Sequence, residues 1–122
     1  MAGLRLGRLV VIGLAGLGLS ACGGGGAVAQ ARLACVDVHK AIALYDESLR
    51  PNRDAAERDA LAARAMATLM AATPAAAQAT SADGTWNPLM TTINEAERVP
   101  LGNLVASLTR LCQVADSSQP YF

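Results

Sequence analysis

Two stripes of apolar residues at helical spacing set the strongest limit on what this chain can form. The first advances in steps of 3, 4, 3 and 4 residues, at Cys35, Val38, Ile42, Tyr45 and Leu49. The second repeats those steps near the end of the chain, at Leu101, Leu104, Leu108, Leu111 and Ala115. Residues at this spacing share one face of an α-helix, so each stripe predicts a helix with one buried side.

Prolines divide the chain between and around these stripes. Pro51 ends the first helix, Pro74 stops or kinks the second, and Pro100 precedes the last. Proline has this effect because it lacks the amide hydrogen that a continuing helix donates. The sequence therefore predicts an all-α fold, a small up-down helical bundle of four helical segments over residues 33–116. Three segments are the alternative if Pro100 only kinks one long helix.

Shorter signals place the ends of the inner segments. Asn52 is the predicted N-cap of the second helix, and Asn87 is the predicted N-cap of the third with Pro88 at its first position. Turn chemistry predicts a loop at residues 81–85. Residues 117–122 form a polar tail that ends in two aromatic residues, and the sequence leaves open whether these rings pack back on the bundle.

The first 21 residues have the pattern of a secretory signal and are set apart from the fold. Arg5 and Arg8 precede an apolar run that ends with the small residues Ser20 and Ala21. This run has about 13 residues, fewer than the roughly 20 that span a bilayer. A removed signal peptide therefore explains the segment better than a transmembrane helix.

The end of this segment, Leu19-Ser20-Ala21-Cys22, resembles the lipobox of bacterial lipoproteins. The resemblance covers only the first 22 residues, and the alternative is an ordinary secretory cut beside an incidental cysteine. It implies cleavage before Cys22, lipidation of that residue and attachment to the extracytoplasmic face of a cell membrane. In bacteria with two membranes, an aspartate directly after the lipidated cysteine retains a lipoprotein in the inner membrane. Residue 23 is glycine here, so the resemblance implies attachment to the outer membrane. Residues 22–32 are then the lipidated cysteine and a flexible glycine-rich spacer.

Charge and composition exclude some partners and raise a question of stability. Acidic and basic residues number 10 each, so no excess of positive charge suggests a nucleic-acid partner. Removal of the signal would leave 8 basic residues against 10 acidic ones. The resulting negative net charge argues against electrostatic attachment to anionic lipid. Alanine accounts for 26 of the 122 residues and buries little area per side chain. A bundle of this size with so thin a core needs an additional source of stability.

A disulfide between Cys35 and Cys112 would supply that stability. With Cys22 assigned to lipid, these are the two remaining cysteines of an exported chain, where oxidising conditions favour pairing. Their α-carbons must approach within about 7 Å, which requires the first helix to start where the last one ends. An even number of segments meets this condition. The alternatives are two separate buried thiols or a redox pair.

No constellation of catalytic residues is evident. His39 is the one histidine, which excludes a site with several histidines in one chain. Glu95 and Glu97 diverge on a helix and do not form a pair for acid and base catalysis. We therefore expect no catalytic residues, no metal site and no cofactor. Convergence of His39 with two acids in one cleft would favour an enzyme instead.

Two binding hypotheses remain. The first is a noncatalytic lipoprotein that binds or scaffolds an envelope component, with an envelope protein as its possible partner and no nucleic acid. The second is a carrier of a small apolar ligand or lipid. Its cavity would be lined by Met66, Leu69, Met70 and Met90. A cavity of a few hundred cubic ångströms would favour the carrier, and an exposed apolar patch would favour the partner.

Overall fold

The fold is known from a computed structural model that describes residues 26–117, and every regular element in that range is helical. The α-helices are α1 (Gly26–Ser48), α2 (Ala55–Met70), α3 (Thr73–Ala82), α4 (Asn87–Glu95) and α5 (Val105–Ser117). Two short 3-10 turns lie at Gly84–Trp86 and Leu101–Asn103. The predicted all-α bundle is confirmed. The predicted signal peptide at 1–21, the lipidated Cys22 and the tail beyond Ser117 lie outside the described residues.

The helices group into the four predicted segments. Only two residues separate α2 from α3, and Pro74 lies in the first turn of α3, so the two helices form one interrupted segment. The break at Pro100 is also confirmed. Helix α4 ends at Glu95, and α5 starts only at Val105 after a turn and a 3-10 turn.

Helix α1 lies at the centre of the packing. It contacts α2, α3 and α5, while α4 packs against α3 and α5. With four segments running alternately up and down, α1 begins at the end of the bundle where α3 passes into α4 and where α5 finishes. We call this end the N-terminal end of the bundle.

Alanine fills much of the core, as the composition suggests. Nine of the 19 buried apolar residues are alanines. On α1 the buried side is built mainly from small residues, and Leu49 of the predicted stripe is 60% exposed because α1 ends before it. The fully buried residues of α1 are Ala31, Ala34, Cys35, Val38 and Ala41. The predicted stripe of the last helix agrees better, since Leu108 and Ala115 are buried on α5, although Leu101 and Leu104, which are also buried, lie before α5 begins.

The start of α1 differs from the prediction. The spacer predicted for residues 22–32 is wrong from Gly26 onward, because α1 begins at Gly26. The helical bundle therefore starts seven residues before Leu33, its predicted first residue. Tertiary contacts hold this first part of the helix. Ala31 is fully buried, and the Arg32 Nε donates a hydrogen bond of 2.9 Å to the carbonyl oxygen of Ala115.

The connection from α1 to α2 corrects the predicted cap. Asp54 is the N-cap, and not Asn52, because Asp54 and Glu57 form a reciprocal capping box. The Glu57 amide donates to the Asp54 carboxylate at 2.8 Å, and the Asp54 amide donates to the Glu57 carboxylate at 3.2 Å. Arg53 joins this arrangement to α1 through an ion pair of 2.6 Å with Glu47. That hydrogen-bonded carboxylate raises the pKa of Arg53 above its usual value.

One stretch of the described chain, Ala55–Ala82, is long and apolar enough by composition to cross a membrane. It comprises 28 residues of α2 and α3, with Ala65, Leu69 and Ala76 fully buried against the rest of the bundle. Of its most apolar 18-residue window, 22% is buried inside the bundle, so most of this window is not covered by the described residues.

Candidate functional site

A disulfide joins α1 to α5 near the N-terminal end of the bundle. Cys35 and Cys112 are bonded, with their α-carbons 5.6 Å apart, and both are fully buried. The pairing and the even number of segments that it requires agree with the sequence prediction. The covalent link closes a chain separation of 77 residues. The first and last helices are therefore held together independently of the thin apolar core.

Polar contacts flank the disulfide on the same two helices. We call this set the α1–α5 seam, and it consists of Arg32, Cys35, His39, Cys112, Ala115 and Asp116. The Nε2 atom of His39 lies 3.0 Å from the Asp116 carboxylate, and about half of each side chain is exposed. This pair could not be predicted from the sequence, because its members are 77 residues apart. Among residues 26–117, Asp116 is the acidic side chain that the structure pairs with His39, and the pair lies on open surface.

Within residues 26–117, no group of three or more His, Cys, Asp or Glu side chains is arranged to hold a metal ion.

The four residues predicted for a ligand cavity lie in or against the core. Leu69 is fully buried, while Met66, Met70 and Met90 are half-buried and pack against the core cluster. In these positions the flexible methionine side chains fill space between the helices. The groove described next is formed by other residues.

That groove is built on the passage from α3 to α4, which the sequence predicted as a loop. Helix α3 extends to Ala82, and Asp83 then caps the 3-10 turn Gly84–Trp86. The Asp83 carboxylate accepts hydrogen bonds from the amide and the hydroxyl of Thr85, at 3.0 and 2.9 Å. These bonds, the amide one first, lower the pKa of Asp83. Because the turn includes Trp86, α4 begins at Asn87, so Asn87 is not the N-cap.

The Trp86 groove is an open, mainly apolar depression of about 170 Å³ between this turn and α5. Thr85 and Trp86 form one wall, and Leu111 and Val114 form the other. Trp86 is buried at 8% exposure, whereas Val114 is 52% exposed. The sequence did not predict the groove, because Val114 lies off the predicted stripe of the last helix.

A second apolar surface follows the outer side of α1. Ala29, Leu33, Val36 and Lys40 are exposed at steps of 4, 3 and 4, so they share one helical face. We call these four residues the α1 stripe. Leu33 is 56% exposed and Val36 is 49% exposed. The stripe occupies the part of α1 that follows the predicted lipidation site.

Comparison with known proteins gave no matching family model, no matching curated protein and no matching solved structure.

Proposed function

We propose that this protein is a noncatalytic, lipid-anchored extracytoplasmic protein that acts by binding or scaffolding an envelope protein. The observation that carries the proposal is the buried Cys35–Cys112 disulfide. Structural disulfides persist in oxidising compartments and are rare in the cytosol. The lipobox resemblance at residues 19–22 independently indicates the same side of the membrane.

The start of α1 brings the proposed site of action close to the membrane. Four Cα steps separate Cys22 from Gly26, which span at most about 14 Å when extended. A lipidated Cys22 would therefore hold the N-terminal end of the bundle against the headgroup region. A partner would meet the bundle at or just above the membrane surface.

Binding is supported over catalysis by the surfaces that the bundle presents. The α1 stripe exposes Leu33 and Val36 beside Lys40 on the helix that leads from the anchor. Protein interfaces combine an apolar centre with a polar rim, and Leu33 and Val36 would supply the apolar centre here. The histidine has a single acidic neighbour on open surface. The α1 stripe is therefore the proposed contact with the envelope protein.

The anchor is tested by expression of the full chain in a bacterial host with two membranes. Mass spectrometry of the N-terminal peptide should find a processed chain that begins at Cys22 and carries acyl chains. A Cys22→Ala variant should remain unprocessed, since lipoprotein signal peptidase acts on the modified cysteine. Processed wild-type protein without acyl mass would refute the anchor.

The partner is tested by site-specific photo-crosslinking in intact cells. A photoreactive amino acid replaces Val36, and in a matched variant it replaces Asp59, which is exposed on α2. We expect the Val36 position to yield one discrete crosslinked envelope protein and the Asp59 position to yield none. The same crosslinked bands from both positions, or none from Val36, would refute the α1 stripe as the contact.

A further inference from the structure

We infer that the envelope protein bound by the α1 stripe is a second copy of this chain, which lies side by side with the first about a two-fold axis. The inference rests on the proposed function, since it takes over the lipid anchor and the contact at the α1 stripe and names the partner. Two features of α1 carry it. They are a pair of unpartnered, opposite charges beside the apolar residues and the start of the helix next to the anchor.

Two side chains of opposite charge lie beside the apolar part of the α1 stripe. Lys40 belongs to the stripe and is exposed, while Asp37 directly follows Val36 and is half-buried at the edge of the stripe. Neither forms an ion pair within residues 26–117, although they are one helical turn apart. In a two-fold interface every contact between two different residues occurs twice. A surface that carries a charge and its complement can therefore pair with a copy of itself.

The anchor and the helix dipole favour a parallel arrangement of the two copies of α1. Four Cα steps separate Cys22 from Gly26 in each copy, so both helices start close to the same membrane. In a parallel pair with equal starts, Leu33 and Val36 of one copy face the same residues of the other. An antiparallel pair would instead bring Lys40 beside the first turn of the other α1, where the helix dipole is positive.

The direction of helical side chains determines the ion pairs between the parallel copies. Side chains of an α-helix lean toward its N-terminus, so Lys40 leans toward the level of Asp37, one turn nearer the anchor. The Lys40 ammonium of one copy then meets the Asp37 carboxylate of the second copy, and the two-fold axis repeats this pair. Together the two pairs offset the repulsion between the facing Lys40 side chains.

The α1 stripe is small, which makes the anchor part of the interface. From Ala29 to Lys40 the stripe extends about 17 Å along a helix of about 10 Å diameter. Two surfaces of this size bury less than the roughly 1,200–2,000 Å² of stable complexes. Attachment to one membrane compensates for the small area, because it raises the effective concentration of the copies and restricts their orientation. The dimer therefore depends on the anchor.

Two tagged copies in one cell test whether the crosslinked protein is the chain itself. Full-length protein with one C-terminal epitope tag carries a photoreactive amino acid in place of Val36, and wild-type protein carries a different tag. We expect a crosslinked product that contains both tags and has twice the mass of the chain. The matched variant with the photoreactive amino acid in place of Asp59, which is exposed on α2, should give no doubly tagged product.

Exchange of the charges beside the stripe tests the arrangement of the two copies. Lys40→Asp makes both charges acidic, and Asp37→Lys makes both basic. When both tagged copies carry the same change, the doubly tagged product should fall at least about fivefold, because like charges then face each other. Co-expression of one Lys40→Asp copy with one Asp37→Lys copy should restore the product, since each then offers the charge that the other lacks. Circular dichroism should show unchanged helicity in both purified variants, because both positions lie outside the buried side of α1.

The possible products separate this inference from the proposed function. A discrete product that contains another envelope protein and lacks the second tag would overturn the second copy as partner, and the α1 stripe would remain a binding surface. The absence of any protein product from the Val36 position would refute both. A doubly tagged product of unchanged yield in both charge variants would overturn the side-by-side arrangement.

Discussion

Removal of the Cys35–Cys112 bond is expected to destabilise the bundle strongly. The perturbation is the double variant Cys35→Ala/Cys112→Ala, which deletes the link between α1 and α5 and leaves the rest of the sequence intact. The bond closes a separation of 77 residues. On the chain-entropy model, a loop of this length restricts the unfolded state by about 4.5 kcal/mol at 25 °C.

This loss is large relative to the total stability. A folded region of 92 residues, from 26 to 117, has a typical free energy of unfolding of roughly 5–14 kcal/mol. The core of this one is rich in alanine, which places it at the low end of that range. The melting temperature should fall by roughly 20–35 °C, since 1 kcal/mol corresponds to about 4–8 °C in domains of this size.

Urea unfolding followed by circular dichroism provides the assay. The chain from Gly23 onward is compared in three forms: oxidised, fully reduced and doubly substituted by alanine. The reduced form isolates the effect of the crosslink, while the alanine form adds the loss of two buried sulfur atoms. The dependence on urea should also steepen without the crosslink, because the unfolded chain then exposes more surface. Reduced and oxidised proteins that differ by less than about 1 kcal/mol would refute the entropic reasoning.

Three further predictions concern the core, a helix cap and a close contact, all measured by the same urea assay. Leu69→Ala should cost about 2–5 kcal/mol because the side chain is fully buried, whereas Leu33→Ala, at a 56% exposed position, should stay within about 0.5 kcal/mol. Equal losses at the two positions would contradict the packing. Asp54→Ala should cost about 0.5–2 kcal/mol, since it removes the capping box of α2, and an unchanged midpoint would exclude that cap. Gly102→Ala should cost about 0.5–1.5 kcal/mol because its new methyl group would displace the hydroxyl end of the half-buried Tyr45 side chain. Tyr45→Phe should recover part of that loss, and a purely additive double variant would rule out the contact.

The elements that local chemistry determines could be predicted from the sequence. The helical stripe at Leu104 and Leu108 is set by residues three and four apart, and the break at Pro100 by one missing amide hydrogen. The disulfide was predicted from the two cysteines that remain in an exported chain, and its distance requirement then favoured an even number of segments. The structure agrees on each of these points, including the even number of segments.

The start of α1 could not be predicted, because tertiary contacts determine it. Glycine and alanine at residues 23–31 carry no strong helical pattern, yet Ala31 is buried and Arg32 is bonded to the end of α5. Alanine gives the same sequence signal whether it is buried, as at Ala65, or exposed, as at Ala60. The true buried side of an alanine-rich helix therefore depends on which neighbour packs against it.

The surfaces of the candidate site could not be predicted for a related reason. His39 meets Asp116 across 77 residues, and the Trp86 groove combines a 3-10 turn with one side of α5. Neither arrangement has a spacing that the sequence could show. Met66 and Met90 lie half-buried against the core cluster, where adaptable side chains that suit a ligand also suit the gaps between helices.

The arrangement of α1 links the anchor to the rest of the molecule mechanically. Helix α1 is the first element after the proposed lipidation site and also the helix on which α2, α3 and α5 pack. Through Cys35 it is covalently joined to α5, whose last turn lies at the same end of the bundle. A restraint on Cys22 would therefore act, through residues 23–25, on the element that organises the core. Lengthening that link by several glycines should free the orientation of the α1 stripe relative to the membrane while leaving the stability of the bundle unchanged. Crosslinking from Val36 would then weaken in cells, whereas the urea midpoint of the purified protein would not move.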